Sequence, residues 1–275
     1  MLKYLRDSFA RKKARRVTAK YPTRTDVFTL EQEGKIEFAN WENPLTKPFV
    51  ITQPMISFFR KFIPEGSLAI DIGANIGDTT VPMAIAAGRE GLTLAFDPNP
   101  YVFEILKVNS TLNKEKTNII PNNFAITKED GEFFYNSSEA SFANGGISET
   151  ANNFHGKYTL QKKIQGINLE AFLNKNYKEW LKKISLIKVD VEGYDLEVLR
   201  SIENLIDRFT PVIIAECFIK ATKQYKMDMF EFFSAKRYDI FYFGDFDETT
   251  VVTKIEAASE MNKNENFNFY AIKKK

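Results

Sequence analysis

Cysteine and histidine are almost missing from this chain of 275 residues. Cys217 stands alone, so no internal disulfide can form, and such usage suits a reducing compartment. No apolar run reaches the ~18 residues of a membrane-spanning helix, and the N-terminus lacks the apolar core of a signal peptide, so neither a span nor export is expected. Internal repeats and low-complexity tracts are missing too. Excess charge is small, net +2, and selects no class of partner by itself. It is unevenly spread, however: residues 1–25 hold nine lysines and arginines against Asp7 alone, which leaves the remainder net acidic. Leu2, Leu5 and Phe9 fall on one side of a helix that those cations would rim. Two readings stay open for this segment, a solvated tail or a peripheral contact with an anionic membrane. The expected location is cytoplasmic, with the inner face of a membrane as its one refinement; the sequence says nothing of oligomeric state.

Apolar residues are plentiful at 44%, enough for one sizeable core. Residues 1–52 read as a basic extension and irregular lead-in punctuated by Pro22, Pro44 and Pro48, and 53–275 as one folded domain. Helical spacing covers 53–62. Strands and helices then alternate, with strands expected at 68–72, 92–96, 118–126, 186–191 and 211–217 and helices at 78–87, 100–112, 196–206 and 223–235. Two aromatic-rich strands, 238–243 and 267–272, close the chain as an antiparallel pair. This pattern predicts an α/β fold, Rossmann-like, with a mostly parallel sheet covered by helices on both faces. Weaker strands at 133–135 and 158–164 suggest an antiparallel flap. The polar, glycine-rich segment between them, 141–156, is expected to be a mobile lid over an acceptor, carrying His155 as a candidate base.

The chemistry starts at the first strand. Leu68 to Ile72 suits a buried parallel strand, and Gly73-Ala74-Asn75-Ile76-Gly77 then turns tightly enough to bring backbone N–H groups to a ligand. A dinucleotide turn spaces its glycines as G-x-G-x-x-G and seats a pyrophosphate on the helix N-terminus. Here Asp78 occupies that place, read as the cap of the next helix, and an acid there disfavours phosphate. It suits a ligand that carries an amine and a sulfonium, which points to S-adenosyl-L-methionine. Asp97 ends the second strand 24 residues beyond Gly73, where a carboxylate can accept from both ribose hydroxyls.

Further acids lie at the carboxyl ends of later strands. Asp190 and Glu192 share one side of an extended segment by period-two alternation, and Glu216 ends the strand expected beside it. One of the three could act as general base on a hydroxyl while others orient the acceptor or the cofactor's amine. A divalent metal on oxygen ligands is the less favoured alternative, since the cluster holds no histidine.

The runs Ile70-Asp71-Ile72-Gly73-Ala74-Asn75-Ile76-Gly77-Asp78-Thr79-Thr80, Phe96-Asp97-Pro98-Asn99-Pro100 and Ile187-Lys188-Val189-Asp190-Val191-Glu192-Gly193-Tyr194-Asp195 resemble those of FkbM-type methyltransferases. The resemblance covers about residues 63–272 and implies the seven-stranded class I methyltransferase sheet. It also implies an S-adenosylmethionine-dependent enzyme acting on hydroxyls of sugars, glycans and natural products. On that likeness Asp71, Gly73, Asn75 and Gly77 surround the methionine part of the cofactor, and Ala74 and Asp78 are further cofactor-binding candidates. Asp97 belongs to the ribose, with Pro98 and Asn99 as further cofactor-binding candidates, Asn123, Phe124 and Ala125 to the adenine side, and Asp190 sits beside the transferred methyl. Competing readings are a nucleic-acid methyltransferase, disfavoured by the acidic site and by the lack of an Asn/Asp-Pro-Pro-aromatic run after the fourth strand, and a non-catalytic cofactor-binding module.

Overall fold

Two apolar pentads, Leu68 to Ile72 and Leu92 to Phe96, lie side by side at the centre, buried at every position. The computed structural model describes residues 2–148, 156–218, 221–263 and 266–274. The chain runs through α1 (Leu2–Ala14), a hairpin of β1 (Thr23–Leu30) and β2 (Gly34–Trp41), α2 (Gln53–Arg60), β3 (Leu68–Ile72), α3 (Thr80–Ala87), β4 (Leu92–Phe96), α4 (Pro100–Leu112) and β5 (Ile119–Asn122). Short strands follow: β6 (Ala125–Ile126), β7 (Gly131–Ser137), β8 (Gly146–Ser148), β9 (Tyr158–Thr159) and β10 (Ile164–Ile167). The last part holds α5 (Leu169–Asn176), β11 (Ile184–Val189), α6 (Asp195–Ser201), α7 (Glu203–Phe209), β12 (Val212–Cys217), α8 (Lys223–Ala235), β13 (Tyr238–Phe243), β14 (Val252–Ile255) and β15 (Phe267–Lys273).

The main sheet is ordered β14-β13-β15-β12-β11-β3-β4-β5. Strands β12, β11, β3, β4 and β5 are parallel, and β15 runs antiparallel between β12 and β13. One sheet face is covered by Leu196, Leu199, Met229 and Phe233 among others, and the opposite face by Met55, Phe58, Phe59 and Met83. Eight strands stand where seven are implied. The addition, β14, is an edge strand with three of its four residues exposed, so it carries no hydrophobic alternation that a sequence could display.

Several expected elements are corrected. Residues 23–41, expected to be irregular, form a hairpin whose prolines flank it. Its inner strand is satisfied by α4: the Asn109 carboxamide accepts from Ala39 N at 2.7 Å and donates to Ala39 O at 3.0 Å, and Asn113 does the same for Glu37 at 3.0 and 2.8 Å. An edge that would otherwise invite another chain is thereby closed. The strand expected over 118–126 divides in two. Its first half, β5, tolerates Pro121 because it is the edge of the main sheet; β6 leaves that sheet and pairs with β10. The helix expected over 196–206 breaks at Ile202, which no residue type there announces.

Strands β6, β10, β7 and β8, with β9 paired to β7, form the expected flap. Residues 141–148 are not a loose lid, however. Ser141 and Phe142 are buried, the Phe142 ring stacks on Tyr101 at 5.5 Å, and β8 pairs with β7. The rest of that segment up to His155 lies outside the described residues.

Candidate active site

The carboxyl ends of β3, β4 and β11 open into a cavity of about 290 Å³ roofed by the flap. Crevices of this kind are where open α/β sheets hold ligands. Its floor is the β3–α3 turn, where Gly73, Asn75 and Gly77 all have positive φ, at 79, 47 and 97°. Glycine at 73 has a second reason: a Cβ there would lie 1.8 Å from the carbonyl oxygen of Asp190. The end of β11 therefore sits directly on the turn, with Asp190 N donating to Ile72 O at 3.0 Å.

The turn keeps most of its N–H groups from a ligand. Gly73 N and Ala74 N both donate to Phe96 O, at 2.9 and 3.0 Å, Gly77 N donates to Ala74 O, and Asn75 N donates to Asp97 Oδ2 at 2.7 Å. The phosphate cradle is thus consumed internally, and acids face the space instead. Asp78 is one of them, and it does not cap the helix. Helix α3 starts later, at Thr80, and Asp78 lines the cavity. Burial, helped by the charges of Asp71 and Asp190 and opposed by that of Lys188, pushes its carboxyl up to about 6.

Asp97 also lines the cavity, its Oδ1 accepting from Asn99 N at 2.9 Å. Each oxygen has one backbone donor and keeps a lone pair for a further hydroxyl. Burial outweighs those two donors and raises this carboxyl to about 7. Asn99 caps α4 by accepting from Tyr101 N at 3.1 Å and ties the flap down by donating to Phe142 O at 2.8 Å.

Asp71 lies beneath the turn, fully buried and away from the cavity wall. It accepts from Thr79 and Thr80 hydroxyls at 2.9 and 2.7 Å and from Lys188 Nζ at 3.2 Å. Lys188 is its register partner across β3 and β11 and also lies 3.5 Å from Asp190 Oδ2. Burial works against this ammonium, yet the charges of Asp71, Asp190 and Asp78 overcome it and lift its pKa well above the usual lysine range. Lys188 lines the cavity and is a site residue that the expectations omit. The available signal was a cation inside the apolar run Leu186-Ile187-Lys188-Val189, which needs a buried partner.

Asp190 and Glu192 both line the cavity, but not by strand alternation. Strand β11 stops at Val189, and Glu192 and Gly193 turn with φ of 58 and 94°. Asp195 holds that turn by accepting from Val191 N and Gly193 N at 3.3 and 3.1 Å. Burial, then the charges of Asp190 and Glu216, raises Asp195 well above the carboxylate range. Glu216 stands outside the cavity lining and accepts from Asn266 Nδ2 at 3.0 Å. Burial and then the nearby Asp190 charge raise its pKa.

Of the remaining expected residues, Pro98, Phe124 and Ala125 line the cavity, whereas Ala74, Gly77 and Asn123 stand behind it. Asn123 donates to Asp97 O at 2.8 Å, so it braces the wall rather than meeting a ligand. Residues 143–147 line the cavity from the segment expected to cover an acceptor, and Tyr135, Phe49, Tyr194 and Phe246 join the lining without having been expected there. Among the described residues no three His, Cys, Asp or Glu side chains are grouped as a metal site requires.

The methyltransferase FkbM domain matches residues 71–248. The hexuronic acid methyltransferase AglP of Haloferax volcanii is 28% identical over 162 residues, 59% of this chain and 61% of that protein. The methyltransferase sdnD of Sordaria araneosa is 24% identical over 166 residues, 52% of this chain and 62% of its own length. The chain thus spans about three fifths of each of these relatives. The crystal structure of an FkbM methyltransferase from Methylobacillus flagellatus superimposes with a TM-score of 0.45 at 11% identity, covering 78% of this chain and 50% of the other.

Proposed function

This chain belongs to the FkbM family of S-adenosylmethionine-dependent methyltransferases, and from that premise we propose that it methylates a hydroxyl of a sugar, glycan or natural-product acceptor. The observation that carries the reading is the carboxylate pair Asp190 and Glu192 on the cavity wall, with the Asp190 backbone seated on the Gly73 turn. An alcohol must lose its proton as the methyl arrives, and a carboxylate within reach accepts it. The relative named for hexuronic acid methylation supports a sugar as acceptor.

The cavity's chemistry fits the cofactor. With most of its backbone donors internally bonded and Asp78 on its wall, the floor favours an ammonium over a phosphate. Asp78 would hold the amine, Asp97 the ribose hydroxyls, and Phe124 with Ala125 the adenine face. Bound there, S-adenosylmethionine supplies an electrophilic methyl on a good leaving group. Asp190 accepts the acceptor's proton while Lys188 fixes its Oδ2, and Glu192 orients the hydroxyl. Tyr135 and residues 143–147 cover the space and limit water. Asp71, through Thr79 and Thr80, keeps the floor rigid. Glu216, off the cavity wall, is given no part in the transfer.

The test is mass spectrometry of saccharide and metabolite pools incubated with enzyme and isotopically labelled cofactor. Label on a hydroxyl oxygen supports the proposal. Label on nucleic acid, or cofactor binding with no transfer to any hydroxyl, would overturn it in favour of the two competing readings.

A further inference from the structure

Helix α1 buries the wrong face for a helix that belongs only to the protein. Ala14 is fully buried, Asp7, Ala10 and Arg11 are half-buried, and Ala140 N donates to Arg15 O at 3.3 Å, so this side is seated on the body beside the flap. Leu5 and Phe9, one turn apart, point away from that side and are 57% and 72% exposed. An ordinary amphipathic surface helix puts such residues inward and its small or polar residues outward. Around Leu5 and Phe9 stand Arg6, Lys12, Lys13 and Arg16; the helix's only acid is Asp7, 3.8 Å from Arg6. Among the described residues no acid lies within ion-pair distance of Lys12, Lys13 or Arg16.

We propose that α1 docks the enzyme on an anionic lipid bilayer, with Leu5 and Phe9 entering the interface and the four cations meeting the headgroups. Exposed apolar side chains ringed by cations, on a helix too short to cross, are the arrangement of a helix that lies in the interfacial plane. Tyr4, 70% exposed, adds an aromatic group with a polar tip suited to headgroup depth. The tie from Arg15 to Ala140 fixes the flap, and with it the cavity, relative to the surface on which the helix lies. Lipid-borne acceptors would then be presented from that side.

Full-length protein is sedimented with vesicles of phosphatidylcholine containing 30% phosphatidylglycerol, and with phosphatidylcholine alone. Binding to the anionic vesicles is expected to exceed that to the neutral ones at least tenfold and to fall as salt is raised. The Leu5→Asp/Phe9→Asp variant should lose at least tenfold in partitioning while keeping its thermal midpoint and its affinity for S-adenosylmethionine. Equal partitioning of the two proteins, or no binding by either, overturns the proposal. So does a dimer in lipid-free buffer that dissociates in the variant, which would make the face a contact between copies. Binding to an RNA oligomer as tight as that to vesicles and indifferent to the two substitutions overturns it as well.

Discussion

Replacing Lys188 with Met tests whether the buried ion pair under the turn holds the site together. The substitution keeps the length of the side chain and removes the ammonium 3.2 Å from Asp71 and 3.5 Å from Asp190. Asp190 is half-exposed and can turn to water. Asp71 cannot, being fully buried on a strand with neighbours on both sides. Breaking a buried pair by deleting one partner costs about 3–5 kcal/mol, because the other charge is stranded. Asp71 keeps the Thr79 and Thr80 hydroxyls, which moderates the loss. The expected destabilisation is therefore about 3 kcal/mol at pH 7. Denaturant unfolding measures it, and Asp71→Asn/Lys188→Met should recover part of the loss by removing the stranded charge. A loss under 1 kcal/mol, or a double variant no more stable than Lys188→Met, would refute the reasoning.

The pH dependence of the unliganded enzyme follows from Asp78 and Asp97. Burial raises both in the folded chain, to about 6 and about 7, so their contribution to stability is full below about pH 4 and is lost as the pH climbs through those values. A ligand that needs both acids ionised should bind more tightly at pH 8 than at pH 6 and release protons on binding near pH 6.5; calorimetry in buffers of different ionisation enthalpy would detect this, and a flat profile would count against both assignments. Gly73→Ala should abolish cofactor binding and destabilise the fold by several kcal/mol, because a methyl cannot share space with the Asp190 carbonyl; a soluble variant that binds normally would show that the turn and β11 are less tightly apposed. Asp190→Asn should lower turnover about 10²–10⁴-fold with little change in cofactor affinity if Asp190 takes the proton, and full turnover would move that role to Glu192.

What the sequence made legible, and what it hid, divides along the range of the interactions. The Gly73 turn, the acids after β4 and β11 and the boundaries of α4 and α8 are local patterns, and all stand where the spacing puts them. Features set by long-range partners were not legible. Asp71 and Lys188 each look anomalous in an apolar strand, but 117 residues separate them, and nothing short of the β3–β11 register makes them a pair. Residues 23–41 lack a self-sufficient strand pattern because their edge is completed by Asn109 and Asn113 on α4. The flap residues 141–148 look mobile in composition, being small and polar, yet Asn99 and Tyr101 anchor them from another element. Glu192 reaches the cavity for a reason opposite to the one the alternation supplied. The strand ends two residues earlier, and Asp195 bends the chain so that a left-handed residue faces the space. That costs backbone strain at a non-glycine position, and strain of this kind persists where surrounding bonds over-determine it. Here the binding of two N–H groups by the one buried carboxyl group of Asp195 does so. Asp195→Ala should consequently weaken turnover through Glu192 without touching the cavity wall, raising the KM for the acceptor more than that for the cofactor; an equal loss in both would assign Asp195 to general stability instead.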